Sequence, residues 1–125
     1  MNFLDAVKTI LSSTYPIRLV NVPSSGDCIV ISEEAVDGVF GGIDPLSKSD
    51  RQVTLSFFVR IKEKPAVYSE IMNLLESFHY TLLSKTGSNL GGFHIISVGE
   101  PTIIPAGVDS DGFFKASMRV QIVYQ

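Results

Sequence analysis

The feature that most constrains the fold of this chain is an alternating segment at residues 51–62. Apolar side chains occupy every second position: Val53, Leu55, Phe57, Val59 and Ile61. Since successive side chains of a β-strand point to opposite faces, the segment predicts a strand with one face in the core. A one-residue slip would expose the whole apolar row, so the register is well specified. Phe58 alone breaks the alternation.

Two segments have the spacing of amphipathic helices. The first begins after Asn2, with Asp5 three residues later in the spacing of a capping box, and ends before Pro16. The second begins near Pro65, spans residues 66–83 and ends before Gly87. Its apolar stripe consists of Val67, Ile71, Leu74, Leu75, Phe78 and Leu82.

Four further apolar runs predict strands. Residues 17–22 and 28–31 indicate a hairpin with an irregular turn at residues 23–27. Residues 93–104 and 114–124 indicate a second hairpin, whose turn lies at residues 107–112. Gly99 and Pro101 mark a bulge or an edge position in its first arm.

The order of these elements predicts the fold class. A helix, two short strands, a long strand, a helix and two long strands favour an α+β fold. We expect a mainly antiparallel sheet covered on one face by two helices. The 125 residues contain no internal repeat and fit one domain.

Residues 33–50 predict a long loop that could carry function. The segment holds three glycines, a proline and five acids, with no clear period. Loops of this length in compact domains usually serve a function or are mobile. Its acids could in principle hold a metal, although a solvated acidic face is the commoner outcome. The candidate site residues are Glu33, Glu34, Asp37, Phe40, Asp44 and Asp50.

The turn between the last two strands is a second candidate contact surface. Asp109, Asp111 and Phe113 lie at its tip. Asp and Gly at a strand connection are ordinary turn formers, and the ligand spacing of a calcium loop is missing. We therefore interpret the tip as an interface and not as a metal site.

The remaining composition argues against catalysis and against gripping DNA. The formal net charge is −3, and no basic cluster is present, so specific nucleic-acid binding is not expected. A single cysteine, Cys28, excludes an internal disulfide and a cysteine metal cage. His79 and His94 have the setting of structural histidines, and no nucleophile or phosphate-loop motif occurs. We predict no enzyme, no cofactor, no metal and a soluble intracellular product without a membrane span.

Three stretches of the chain resemble the phage tail-terminator family, whose members are also called minor capsid or tail completion proteins. The first is the opening helix from Phe3 to Leu11, which leads to Tyr15-Pro16-Ile17. The second is the strand from Gln52 to Arg60, which precedes the second helix. The third is the ending, from Ser97 through Pro105 and Gly112 to the final strand. Phe113-Phe114-Lys115 departs from the pattern, because many members carry arginine or tyrosine after the glycine.

The resemblance implies a structural role in the virion. Such proteins cap the tail tube at its set length, typically as a ring of six, and present a docking surface for the head or neck. The partners it implies are further copies of the chain, the tail tube protein and the head or neck connector protein. The location it implies is the tail end at the head–tail junction, after synthesis in the host cytoplasm. If residues 33–50 line the lumen, their acids would repel passing DNA.

Two other classes of function stay open at this point. A neck or stopper ring protein at the head–tail joint has the same compositional requirements. A small-molecule-binding α+β regulatory domain is the more distant alternative, since helices on an antiparallel sheet host many ligand sites. A small enzyme comes third, because histidine is sparse and a nucleophile is absent.

Overall fold

The computed structural model of the chain describes residues 2–13, 15–19, 26–35 and 50–125. Two helices and seven strands lie in these ranges. In chain order they are α1 (Phe3–Ile10), β1 (Ile17–Arg18), β2 (Cys28–Ala35), β3 (Arg51–Lys62), α2 (Val67–Leu83), β4 (Asn89–Leu90), β5 (Phe93–Val98), β6 (Thr102–Val108) and β7 (Phe113–Tyr124).

The predicted fold class, a mainly antiparallel sheet covered on one face by two helices, is wrong. The protein is mostly β, with 47% strand against 25% helix, and its strands form a curled mixed sheet with the shape of half a barrel. The strand order is β1-β2-β3-β7-β5-β4, and β6 also pairs with β7. Strands twist and bulges add local bending, so a sheet of this extent curls. The alternation in the sequence predicts strands but contains no information on this curvature.

The centre of the sheet is the pairing of β3 with β7, which runs antiparallel from Arg51↔Tyr124 to Lys62↔Phe113. The strand predicted at residues 51–62 is thereby confirmed with its bounds. Its apolar row is buried together with the alternate residues of β7. The buried stripe of α2 completes the core, where the rings of Phe57 and Phe78 lie 5.8 Å apart.

Both predicted helices are confirmed, but α2 begins differently from expectation. In α1 the predicted capping box is present: Asp5 N donates to Asn2 Oδ1 at 2.8 Å, and Asn2 N donates to Asp5 Oδ2 at 3.2 Å. Pro65 does not take the first position of α2, because the helix starts at Val67. Ala66 precedes it in the left-handed conformation, with φ 64°.

The first predicted hairpin is wrong in its strand direction. β1 pairs parallel to β2, with Ile17 opposite Ile29 and Arg18 opposite Val30. A parallel pair cannot be joined by a two-residue hairpin turn. Residues 20–25 of the connection lie outside the described residues. The apolar runs predicted two strands correctly, but such runs do not specify direction.

The predicted last hairpin is present with its first arm divided. β5 and β6 both pair with one edge of β7, β6 opposite residues 114–119 and β5 opposite residues 122–124. The break falls at residues 99–101, where Gly99 N donates to Gln121 O at 2.8 Å. His79 Nε2 on α2 lies 2.9 Å from Gly99 O and ties the helix to this break.

Candidate functional site

The first residues of the segment predicted as an acidic loop belong to a strand. Glu33 and Glu34 belong to β2, where they pair opposite Leu55 and Thr54 of β3. The loop prediction is therefore wrong for residues 33–35, since backbone pairing with β3 continues through them. Asp37, Phe40 and Asp44 lie outside the described residues.

The remaining predicted acids lie on different parts of the sheet. Asp50 directly precedes β3, and its Oδ1 accepts a hydrogen bond from Gln125 Nε2 at 2.6 Å. Glu34 Oε2 lies 3.5 Å from Arg119 Nη2 of β7. Burial raises the pKa of the Glu33 carboxyl above its ordinary value. Burial also raises the pKa of the Tyr124 phenol, and the charge of Glu33 adds to that rise.

The predicted hairpin tip is a firmly held turn. Asp109 Oδ1 accepts from the backbone N–H of Asp111 at 2.9 Å and of Phe113 at 3.0 Å. Its Oδ2 lies 3.4 Å from Arg60 Nε, and the Arg60 guanidinium stacks 3.7 Å above the Phe113 ring. All three predicted contact residues thus contact Arg60, since Asp111 Oδ2 lies 3.6 Å from Arg60 Nη2. Asp111 is nevertheless largely exposed, with a side-chain exposure of 75%.

The outer face of the sheet carries a row of four residues from four strands, three of which are apolar. Phe58 of β3 lies opposite Val30 of β2 on one side and Ser117 of β7 on the other. Ser117 in turn lies opposite Ile104 of β6. The residue that interrupts the alternation of β3 is therefore the centre of a cross-strand row, which ends at the edge of the sheet.

The edge strand β6 is unusual in its composition. None of its seven residues is charged, and Ile104 is 53% and Val108 46% exposed. Among the described strands, β6 pairs with β7 alone. Edge strands of natural proteins are commonly protected by charges, proline or bulges, because their unpaired backbone groups invite another strand. Here the protection consists of Pro105 and the bulge between Pro105 and Gly107, which leaves Thr102–Ile104 open.

A polar groove of about 490 Å³ adjoins this edge. It lies on the outer face where β5 gives way to β6, and Arg119 is the cation in its lining. Gly99 lies close to β7 here, and a Cβ at this position would be 3.4 Å from Gln121 O. The lining residues are Thr54, Gly99, Glu100, Thr102, Ile104, Arg119 and Gln121.

A second polar cluster lies at the start of α2. Lys64 Nζ donates to Tyr15 Oη at 2.8 Å and lies 3.1 Å from Glu70 Oε2, while Tyr15 Oη donates to Glu70 Oε1. The hydrogen bond that Tyr15 donates to Glu70 holds the pKa of the Glu70 carboxyl below its ordinary value. The hydrogen bond that Lys64 donates to Tyr15 raises the pKa of the Lys64 ammonium group. Burial raises the pKa of Tyr15, so its phenol stays protonated. An open groove of about 470 Å³ lies beside the cluster, but its charges are already paired with each other.

The described residues contain no group of three or more His, Cys, Asp or Glu side chains placed to hold a metal ion. No buried side-chain polar atom among them is without a hydrogen-bond partner. No described helix is long and apolar enough to cross a membrane. The feature of this surface that calls for an explanation is the uncharged edge.

Sequence reasoning missed the residues of that edge. Thr102, Ile104 and Arg119 were not among the predicted contacts, although residues 102–108 carry no charge. The absence of charge can be read from the sequence. The position of the strand at an edge of the sheet cannot be read from the sequence, because strand order is a property of the tertiary structure.

Comparisons with known proteins assign no family. No family model matches the chain, and no curated protein matches it. One matching solved structure, of a protein known only by a sequence number, aligns with a TM-score of 0.47 and 16% identity over 98% of this chain and 87% of that chain. A similarity of this degree supports no conclusion on function.

Proposed function

We propose that this protein is a structural assembly protein of a tailed phage. In this role it closes as a ring on the end of the tail tube, stops elongation and presents the surface on which the head or neck docks. The observation that carries the proposal is the exposed, uncharged edge strand β6 beside the apolar outer row. Together with the resemblance of the sequence to tail terminators, it favours a surface made for other protein chains.

The physical argument starts from the hazard that such an edge creates. An exposed apolar edge invites pairing with any strand in solution, so it persists where a defined partner covers it. A ring of identical copies provides such a partner for every edge without leaving free ends. Ile104 lies where the outer row meets the edge, and it is therefore the side chain best placed to test the surface.

The test compares two exposed apolar residues on different surfaces. Native mass spectrometry and negative-stain microscopy at high concentration should show closed rings for the wild type. Ile104→Lys should abolish the rings, because it places a charge on the edge. Tyr80→Lys on α2, where the side chain is 75% exposed, should leave them intact. Circular dichroism of both variants checks that the fold is retained.

A chain that stays monomeric in solution is tested on the tail tube itself. A terminator that closes only on its target should bind purified tubes in the wild-type and Tyr80→Lys forms and fail in the Ile104→Lys form. Failure of the wild type to form rings in solution and to bind tubes would refute the proposal.

Virions assembled without the protein separate the terminator from a neck protein. Abnormally long tails are the expected result for a terminator. Tails of normal length, detached from leaking heads, would assign the protein to the neck instead.

A further inference from the structure

Among the described strands, β2 forms a second edge of the sheet, opposite β6. β1 pairs only with Ile29 and Val30 of β2, while β2 continues to Ala35. Over Ile31–Ala35, β2 has β3 on one side and no described strand on the other. The two stretches that no further described strand covers, Ile31–Ala35 and Thr102–Ile104, therefore lie on opposite sides of the same sheet.

The directions of these edges suit a head-to-tail contact. β2 is antiparallel to β3, β3 to β7, and β7 to β6. It follows that β2 and β6 run in opposite directions within one chain. A rotation about an axis along the strands brings β2 of one copy beside β6 of the next as an antiparallel pair. Repeated contacts of this heterologous kind generate a ring when the rotation closes.

The charges near the two edges are partly complementary. The seven residues of β6 include no acid, and Arg119, one strand further in, is 57% exposed. Glu100, which precedes β6, lines the same groove as Arg119. The β2 edge carries Glu33 and Glu34, whose backbone lies in its open stretch. Within the chain, Glu34 reaches across β3 to Arg119 at 3.5 Å. β6 lies on the other side of Arg119, opposite Thr102, so an acid of the next copy can reach across β6 to the same guanidinium.

We infer that a second copy of this chain covers the β6 edge with its own β2 edge. Thr102–Ile104 pairs antiparallel with part of Ile31–Ala35 of the next copy and continues the sheet from subunit to subunit. Pro105, which has no N–H, and the bulge after it end this pairing and fix its length. The inference rests on the ring of the proposed function and names the surfaces that close it.

Cysteine cross-linking between differently labelled copies tests this pairing. Thr102→Cys and Glu34→Cys are made as separate variants of the full chain and mixed under the conditions in which rings form, in solution or on tail tubes. Both side chains are exposed. Ser32→Cys replaces Glu34→Cys in a parallel mixture as a register control, because Ser32 opposite Thr102 would set Ile104 against Val30, which already pairs with β1. A dimer formed with Ser32→Cys and not with Glu34→Cys would overturn the pairing. The native Cys28 side chain is only 4% exposed. The wild type, treated in the same way, measures any cross-linking that comes from Cys28.

The expected product is a dimer linked between a Thr102→Cys copy and a Glu34→Cys copy. A short bis-maleimide or mild oxidation should form it in the mixture and not in either variant alone, because antiparallel neighbours bring Cα atoms to disulfide distance. A mixture of Thr102→Cys with Ser69→Cys on α2 is the negative control.

Each other outcome separates the inference from the proposed function. Cross-linking of Thr102→Cys alone would show β6 meeting β6 and would overturn the head-to-tail pairing. Intact rings without any cross-link in the mixtures would overturn the pairing and leave the ring standing. Absence of rings both in solution and on tubes would overturn the ring and the pairing together.

Discussion

At the scale of a single residue, Asp109 stabilises the turn because its two carboxylate oxygens have different partners. One accepts two backbone N–H groups of the turn, and the other faces Arg60. Asp111, two residues later, is largely exposed. Asp109→Ala should therefore lower the melting temperature by about 3–8 °C, whereas Asp111→Ala should change it by about 1 °C. Thermal unfolding followed by circular dichroism gives both values, and equal effects of the two variants would contradict this account of the turn.

The same residue should make stability depend on pH. The backbone hydrogen bond from Phe113 is the main cause that holds the pKa of Asp109 below its ordinary value, with smaller contributions from Asp111 and Arg60. A lowered pKa in the folded state gives stability that is complete above the unfolded pKa of about 4 and is lost as the pH falls through the folded value. The difference in melting temperature between the wild type and Asp109→Ala should shrink below pH about 4. A difference that stays constant down to pH about 2 would show that ionisation is not involved.

Ala66 governs how the element α2 begins. Its left-handed φ of 64° places a Cβ where only glycine is free of strain, and no side chain caps the helix. Ala66→Gly should raise the free energy of unfolding by about 0.5–1 kcal/mol, because relief of strain exceeds the extra chain entropy. Ser69→Gly, inside the same helix, should lower it by about 0.5 kcal/mol. Urea denaturation measures both, and destabilisation by Ala66→Gly would refute the strained start.

The secondary-structure elements were predicted from the sequence more successfully than the tertiary structure. The capping box of α1, the bounds of β3 and the apolar stripe of α2 follow from local periodicity and capping chemistry, which act within a few residues. The extension of β2 through Glu33 and Glu34 was missed, because two adjacent acids do not look like a strand. Their strand conformation comes from hydrogen bonding to β3, and that pairing partner lies far along the chain.

At the scale of the whole molecule, the two ends of the described chain meet. The Phe3 ring of α1 stacks on Tyr124 of β7 with 4.0 Å between centroids, and Phe93 of β5 contacts both rings edge-on. Phe3→Ala should cost about 3–5 kcal/mol of stability, which is a large part of what a domain of this size has. Lys8→Ala on the exposed side of α1 should cost less than about 0.5 kcal/mol. A small effect of Phe3→Ala in urea denaturation would show that α1 is dispensable for closing the sheet.

The candidate surface could be predicted only in part. Residues 102–108 can be recognised in the sequence because they carry no charge. Phe58 can be recognised because it breaks the alternation of apolar and polar residues. Nothing in the sequence shows that the two belong to one row, since Ser117 of β7 lies between them and the three come from distant segments. The predicted contacts Asp109 and Phe113 have surroundings that the sequence also does not show. Both contact Arg60, which is about fifty residues away in the chain.

The sequence by itself determined which segments become helices and strands and which faces they bury. Periodicity and capping are local, so residues 51–62 and 67–83 needed no knowledge of the remainder of the chain. The tertiary structure decided strand direction, strand order and curvature: β1 parallel to β2, β5 and β6 sharing one edge of β7, and a sheet curled into half a barrel. The physical reason is that these properties depend on hydrogen bonds and packing between segments far apart in the chain, which an alternation of apolar residues does not specify.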